Sequence, residues 1–204
     1  MRKLGMVLML GAGVVALSSA DRLFNVPTAR KLSEGSIRFE YAQGLKAERV
    51  TDRFIGIGMN RLLEAEVRTW QRPGFDERIT TDLNFNIISP IAGIIPGFAV
   101  GVLDALDETP DGRRTFITST YRLPFELVSG TKNLDLTVGI QAGAKDGFFG
   151  GFVAPFTDMF SLMAEHNGYR ITAGFEFRPI KPLALRLLVQ EERALATVQF
   201  SSRF

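Results

Sequence analysis

Apolar and polar residues alternate along this chain over almost its whole length, and that one feature limits the folds open to it. From Ile79 to Ile87 the residues Ile79, Thr81, Leu83, Phe85 and Ile87 share one parity, while Thr80, Asp82, Asn84 and Asn86 share the other. Successive side chains of a strand point to opposite faces, so such a segment has one apolar and one polar face. The pattern recurs in Ile37–Tyr41, Leu63–Arg68, Leu134–Gln141, Tyr169–Arg178, Leu183–Gln190 and Ala196–Phe204.

Turn-forming residues separate the runs: Asn60-Arg61, Arg72-Pro73-Gly74, Thr109-Pro110-Asp111-Gly112 and Asn167-Gly168, the last a strong hairpin signal. Pro179 to Pro182 and Glu191-Glu192-Arg193 mark the final two connections. The resulting reading is all-β, with about twelve strands at 34–43, 51–59, 62–70, 77–88, 96–105, 113–123, 132–142, 148–155, 159–166, 169–178, 182–190 and 194–204. Ten strands is the alternative count. The stretch 87–106 carries one charge, Asp104, and could be drawn as a membrane helix. Pro90 and Pro96 would each break its hydrogen bonding, so it reads as strand, apolar turn and strand.

The start of the chain is built differently. Arg2 and Lys3 precede an uncharged, mostly apolar run from Leu4 to Leu17, and Ala16-Leu17-Ser18-Ser19-Ala20 offers small residues before Asp21. This is the plan of a secretory signal peptide, residues 1–20, cleaved after Ala20. No cysteine stands there, which excludes a lipoprotein. Without cysteine in the chain, disulfides, thiolate metal sites and cysteine nucleophiles are excluded, and one histidine leaves little for a triad. Lys+Arg total 24 against 22 Asp+Glu; without Arg2 and Lys3 the balance is 22 to 22, so bulk charge gives no footprint for nucleic acid.

A soluble β-sandwich also alternates apolar and polar residues. The meander-like spacing, the leader and the terminal Phe204 favour an up-and-down antiparallel transmembrane β-barrel over residues 34–204, entered from a periplasmic segment at 21–33. The expected location is the bacterial outer membrane. Its partners there are membrane lipids, lipopolysaccharide and the barrel-assembly machinery, which reads Phe204 at the end of the last strand.

In such a barrel the polar parity faces the lumen. It carries Arg38, Arg68, Arg122, Arg170, Arg178, Arg186 and Arg203 against Glu40, Glu64, Glu66, Asp82, Asp135, Glu165 and Glu176. Seven against seven predicts a cross-lumen network of ion pairs, or passage of neutral or zwitterionic solutes, rather than a charge-selective pore. Gly56, Gly58, Gly101, Gly139 and Gly174 share that parity and either leave free space or mark bends. Trp70, Tyr41, Tyr121 and Tyr169 fit an interfacial girdle. His166 stands beside Glu165, but adjacent strand residues face opposite ways, so the two cannot work as one unit. Glu64 and Glu66 share a face, and with Arg68 next on that face they read as ion-paired rather than as a glycosidase pair. Asp104, Asp107, Glu108 and Asp111 read as a solvated loop without the spacing of a calcium loop. No catalytic residue, metal or cofactor is expected.

Several stretches resemble the YjbH-like family of outer-membrane barrels found in exopolysaccharide operons. Leu23-Phe24-Asn25-Val26-Pro27-Thr28-Ala29-Arg30 and then Glu34-Gly35-Ser36-Ile37-Arg38 resemble its opening, a short apolar plug and a first strand. Ala99–Asp104 with Thr118–Arg122 resembles its middle hairpin, and Gly147–Gly151 leading to Leu162–Gly168 a later one. The chain departs from the family in its shorter length and in the short acidic loop Asp107–Gly112. The resemblance implies an accessory or conduit role in polysaccharide export or small-solute passage, with a polysaccharide as partner. A non-conducting structural or adhesion barrel is the first alternative, followed by a soluble periplasmic β-sandwich binding protein and an outer-membrane lipid-modifying enzyme.

Overall fold

A computed structural model describes residues 23–45, 50–72, 74–127 and 130–204. The leader expected at 1–20 lies outside the described residues. The chain forms twelve antiparallel strands: β1 Ser36–Gly44, β2 Thr51–Gly58, β3 Leu63–Gln71, β4 Arg78–Ile88, β5 Gly97–Leu103, β6 Arg114–Leu127, β7 Gly130–Gly143, β8 Gly147–Pro155, β9 Phe160–His166, β10 Ile171–Ile180, β11 Leu183–Gln190 and β12 Arg193–Arg203. Each pairs with its neighbours in sequence, and β1 closes on β12 through a register running from Ser36↔Arg203 to Gly44↔Leu195. The closed ring excludes the two-sheet sandwich.

Local chemistry explains the turns. Asn167 Oδ1 accepts hydrogen bonds from the Tyr169 and Arg170 amides, and Gly168 takes a φ of +99°, closing the β9–β10 hairpin at the Asn-Gly pair. The apolar stretch 87–106 is β4, a connection in which Ile91 bridges Ile95, and β5, as its prolines require. β6 and β7 are the longest strands and stay paired to Leu127↔Gly130.

The apolar parity faces outward. Phe39, Ile55, Ile79, Phe85, Ile117, Val138, Phe148, Phe175, Leu187 and Phe200 are all exposed, Phe148 by 80%. An apolar surface encircling the wall far exceeds what a soluble monomer exposes, and it matches the outward band of a membrane barrel. The architecture is consistent with an outer-membrane protein. The chain enters β1 and leaves β12 at one end of the barrel, here the terminal end; the opposite end is the far end. Phe204 follows β12 at the terminal end, donating its amide to Gly35 O at 2.9 Å, with its side chain exposed.

Two members of the expected girdle lie elsewhere. Trp70 shares the inward parity of Glu64, Glu66 and Arg68 and is buried, with the Arg72 guanidinium over its ring. Tyr169 belongs to the β9–β10 turn and donates to Asp111 at 2.5 Å. Tyr41 remains on the outer face.

Candidate functional site

The lumen holds the chain's own N-terminal segment. The described part of the expected periplasmic segment, residues 23–33, lies within the barrel instead. Leu23, Phe24, Val26, Ala29 and Leu32 are each at most 4% exposed. Twelve strands make a ring wider than side chains alone can fill, as eight do, and narrower than the open channel of sixteen. One extended segment fits that gap.

The wall reads the backbone of this plug with side chains. The Glu165 carboxylate accepts from the amides of Asn25 (3.0 Å) and Val26 (3.2 Å) and from Asn25 Nδ2 (2.9 Å). Thr118 donates to Pro27 O, Asn84 to Thr28 O and Asn86 to Ala29 O. Thr120 accepts from the Ala29 amide, and Glu64 from the Leu32 amide. A buried peptide group left unpaired costs about 1–3 kcal/mol, so these partners fix the plug's register. At the terminal end Gly35, with a φ of +70°, turns the chain from lumen to wall, where its amide bonds Gly58 O.

Polar and apolar layers alternate along the lumen. Toward the far end Leu23, Phe24 and Val26 pack with Phe54, Leu103, Phe116, Phe149, Met163, Leu188 and Leu195 from the wall. Phe24 meets Phe54 edge to face at 5.8 Å. The four large plug side chains, Leu23, Phe24, Val26 and Leu32, contribute on the order of 6–12 kcal/mol by burial. The inward glycines are not free space. A Cβ on Gly58 would stand 2.2 Å from Ser33 O, and one on Gly151 2.5 Å from Leu23 Cδ1. Gly101 and Gly139 lie under the rings of Phe116 and Phe149, their cross-strand partners.

Of the fourteen expected lumen charges, twelve point inward. Their pairs run along the wall, not across the lumen, because the plug holds the axis. Arg38 bridges Glu64 and Glu66, reaching over Gly56, which stands between Arg38 and Glu66 in the register and has no side chain to block it. Thus Arg38, rather than the expected Arg68, pairs these carboxylates. Arg68 instead donates to Asn25 Oδ1 at 2.9 Å and lies over the Phe54 ring. Arg186 joins Glu40 (3.0 Å) to Glu176 (2.8 Å), Arg178 also meets Glu176, and Asp135 takes both Arg122 and the plug's Arg30. Asp82 Oδ1 accepts the Asp104 amide. The exceptions are Arg170, in the β9–β10 turn over the Tyr169 ring, and Arg203, exposed at the end of β12.

The far end is capped. Asp104, expected in a solvated loop, is buried at a φ of +51°, and its carboxylate accepts from Thr80, Thr109 and the amides of Glu108 and Thr109. Burial alone would raise its pKa; these hydrogen bonds outweigh it and hold the group below the usual carboxylate range. Asp111 is likewise lowered, its desolvation overcome by Lys145 and Tyr169. Burial, aided by the Asp111 carboxylate, pushes the Tyr169 hydroxyl up to about 12. Beneath this cap a cavity of about 30 Å³ lies among Asn25, Arg68, Thr80, Asp104, Arg114 and Tyr169, room for about one water. At the terminal end a vestibule of about 390 Å³ opens beside Arg30.

Glu165 is buried in the lumen while His166 is exposed on the outer face, as strand geometry requires. Among the described residues no group of three acidic or histidine side chains could hold a metal ion. Neither a protein-family model nor a curated protein matches the chain.

The resemblance implied a short apolar plug at Leu23–Arg30; what sequence reasoning missed is the apolar inner layer that receives it. Doublets such as Phe54-Ile55, Phe116-Ile117, Phe148-Phe149 and Leu187-Leu188 put a large apolar residue on both parities, and they signal a wall apolar on its inner side as well.

Proposed function

We propose that this chain is a bacterial outer-membrane barrel closed by its own N-terminal segment, serving as an accessory protein of polysaccharide export and not as the open pore. The observation that carries this reading is the placement of the 23–33 segment in the lumen, with Leu23, Phe24, Val26, Ala29 and Leu32 buried there. The outward apolar band supports the membrane setting, and the leader-like 1–20 supports export from the cytoplasm. The polysaccharide link rests on the YjbH-like resemblance. Lipids and lipopolysaccharide would contact the outer face, and assembly would proceed through the C-terminal strand.

One observation favours a second reading, a conduit that opens when the plug leaves. Among the described residues the plug is held by hydrogen bonds, an ion pair and burial, and it runs into the wall through Gly35. Conductance in a planar bilayer separates the two. The intact protein is expected to be silent, and steady channels from it would overturn the closed reading. If deletion of residues 23–33 then opens the protein, it is a plugged conduit; if it stays silent, the barrel is structural. A faster-migrating unboiled band from the outer-membrane fraction tests the location and the closed barrel together.

A further inference from the structure

The vestibule at the terminal end is polar and short of anions. Its wall carries Arg30, Arg122, Lys132 and Arg178 against Asp135, Glu176 and Asp158. Two of those carboxylates are each shared by two guanidinium groups, Asp135 by Arg30 and Arg122, Glu176 by Arg178 and Arg186. The third, Asp158, is 89% exposed, so its pairing with Lys132 is screened by water and adds little. Lys132 is itself only 14% exposed. Its ammonium gives one hydrogen bond, to Asp158, and has two N–H left. Arg122 spends Nε and Nη2 on Asp135 and keeps Nη1. Thr131, Thr157 and Ser161 add hydroxyls, and at about 390 Å³ the space falls within the ~300–1,000 Å³ of small-molecule sites.

We propose that this vestibule binds a small hydroxylated anion, with its carboxylate or phosphate between Lys132 and Arg122 and its hydroxyls among Thr131, Thr157 and Ser161. The inference rests on the plugged barrel, because Arg30 of the plug forms part of the wall. Charge-assisted hydrogen bonds from a guanidinium and an ammonium supply the attraction, and an excess of cations already ordered by their neighbours keeps the cost of organising the site low.

The test is calorimetric titration of the full-length barrel in neutral detergent with glucuronate, glucose 6-phosphate and glucose. Binding of either anion without binding of glucose supports the site. Glucuronate alone would assign a carboxylate ligand, and glucose 6-phosphate alone a phosphate. Lys132→Gln and Arg122→Gln are each expected to weaken binding about tenfold or more. Glucose binding as tightly as the anions, no binding of either anion, or unchanged affinity in both variants would overturn the proposal. Should Arg122→Gln lose its unboiled gel shift, Lys132→Gln suffices, since its partner Asp158 is exposed. Bilayer recordings on the same preparation keep the two readings apart: silent bilayers without anion binding refute the site alone, and open channels refute the closed lumen.

Discussion

Glu165→Ala should loosen the plug without dismantling the wall. The carboxylate pairs two buried plug amides, Asn25 and Val26, and the Asn25 side-chain amide. Removing it leaves two backbone N–H groups without this acceptor, at about 1–3 kcal/mol each, so docking weakens by about 2–6 kcal/mol. The lower figure alone is about a thirtyfold shift toward the undocked state. The strand is spared, because the backbone pairs of Glu165 with Gly151 and Thr172 do not depend on its side chain. The native chain has no cysteine, so Val26→Cys gives a single thiol at a position that is 0% exposed. Its labelling by a water-soluble maleimide in the folded barrel reports how often the plug leaves. Glu165→Ala in that background should raise the labelling rate about thirtyfold or more, and Glu165→Gln, which keeps one acceptor oxygen, should raise it less. A rate within twofold of the parent, with the unboiled gel shift intact, would refute the claim that Glu165 holds the plug.

Gly58→Ala places a methyl group 2.2 Å from Ser33 O, and should expel the plug's terminal-end segment and raise thiol labelling with no change of charge; unchanged labelling would mean the wall gives way. Arg38→Ala takes the guanidinium from between buried Glu64 and Glu66 and should cost about 3–5 kcal/mol, read as a lower temperature for loss of the unboiled gel shift. Tyr169 has its folded pKa raised above that of the unfolded chain, so its contribution to the cap is full below about 10 and is lost as pH rises through about 12. Its ionisation should come near pH 12, and a Tyr169→Phe difference titration at 295 nm that removes a transition near pH 10 would contradict this.

The strand plan was legible because period-two alternation is a property of single strands, and the wall keeps it from Ile37 to Phe200. The inward set of charges followed from the same parity. Their partners did not, since a partner depends on register. Arg38 finds Glu66 only because β1, β2 and β3 align at Arg38, Gly56 and Glu66, and nothing local in the chain states that alignment. Without that information, proximity in sequence points to Arg68 as the partner of Glu64 and Glu66. Residue type alone points Trp70 and Tyr169 to the girdle, whereas Trp70 has the parity of an inward residue.

The plug was legible only through the family resemblance and not from periodicity, for a different reason. Leu23 to Leu32 has neither the period of a strand nor that of a helix, because its contacts are made around an axis and not across one face. Phe24 meets Phe54 from β2, Asn25 meets Glu165 from β9, and Ala29 meets Thr120 from β6 and Asn86 from β4. A segment surrounded by wall on every side needs no amphipathic repeat. It needs large apolar groups where the wall is apolar and polar side chains opposite its peptide groups, and both conditions are met here. The inner wall is complementary to the segment, and not merely polar: Gly58 and Gly151 give way where its backbone and Leu23 approach, and Glu165 stands where two of its amides point inward to no strand. A wall evolved around open water would have no use for Phe54, Phe149 and Leu188 facing the lumen. Their presence makes the closed state the one that this barrel is built to favour.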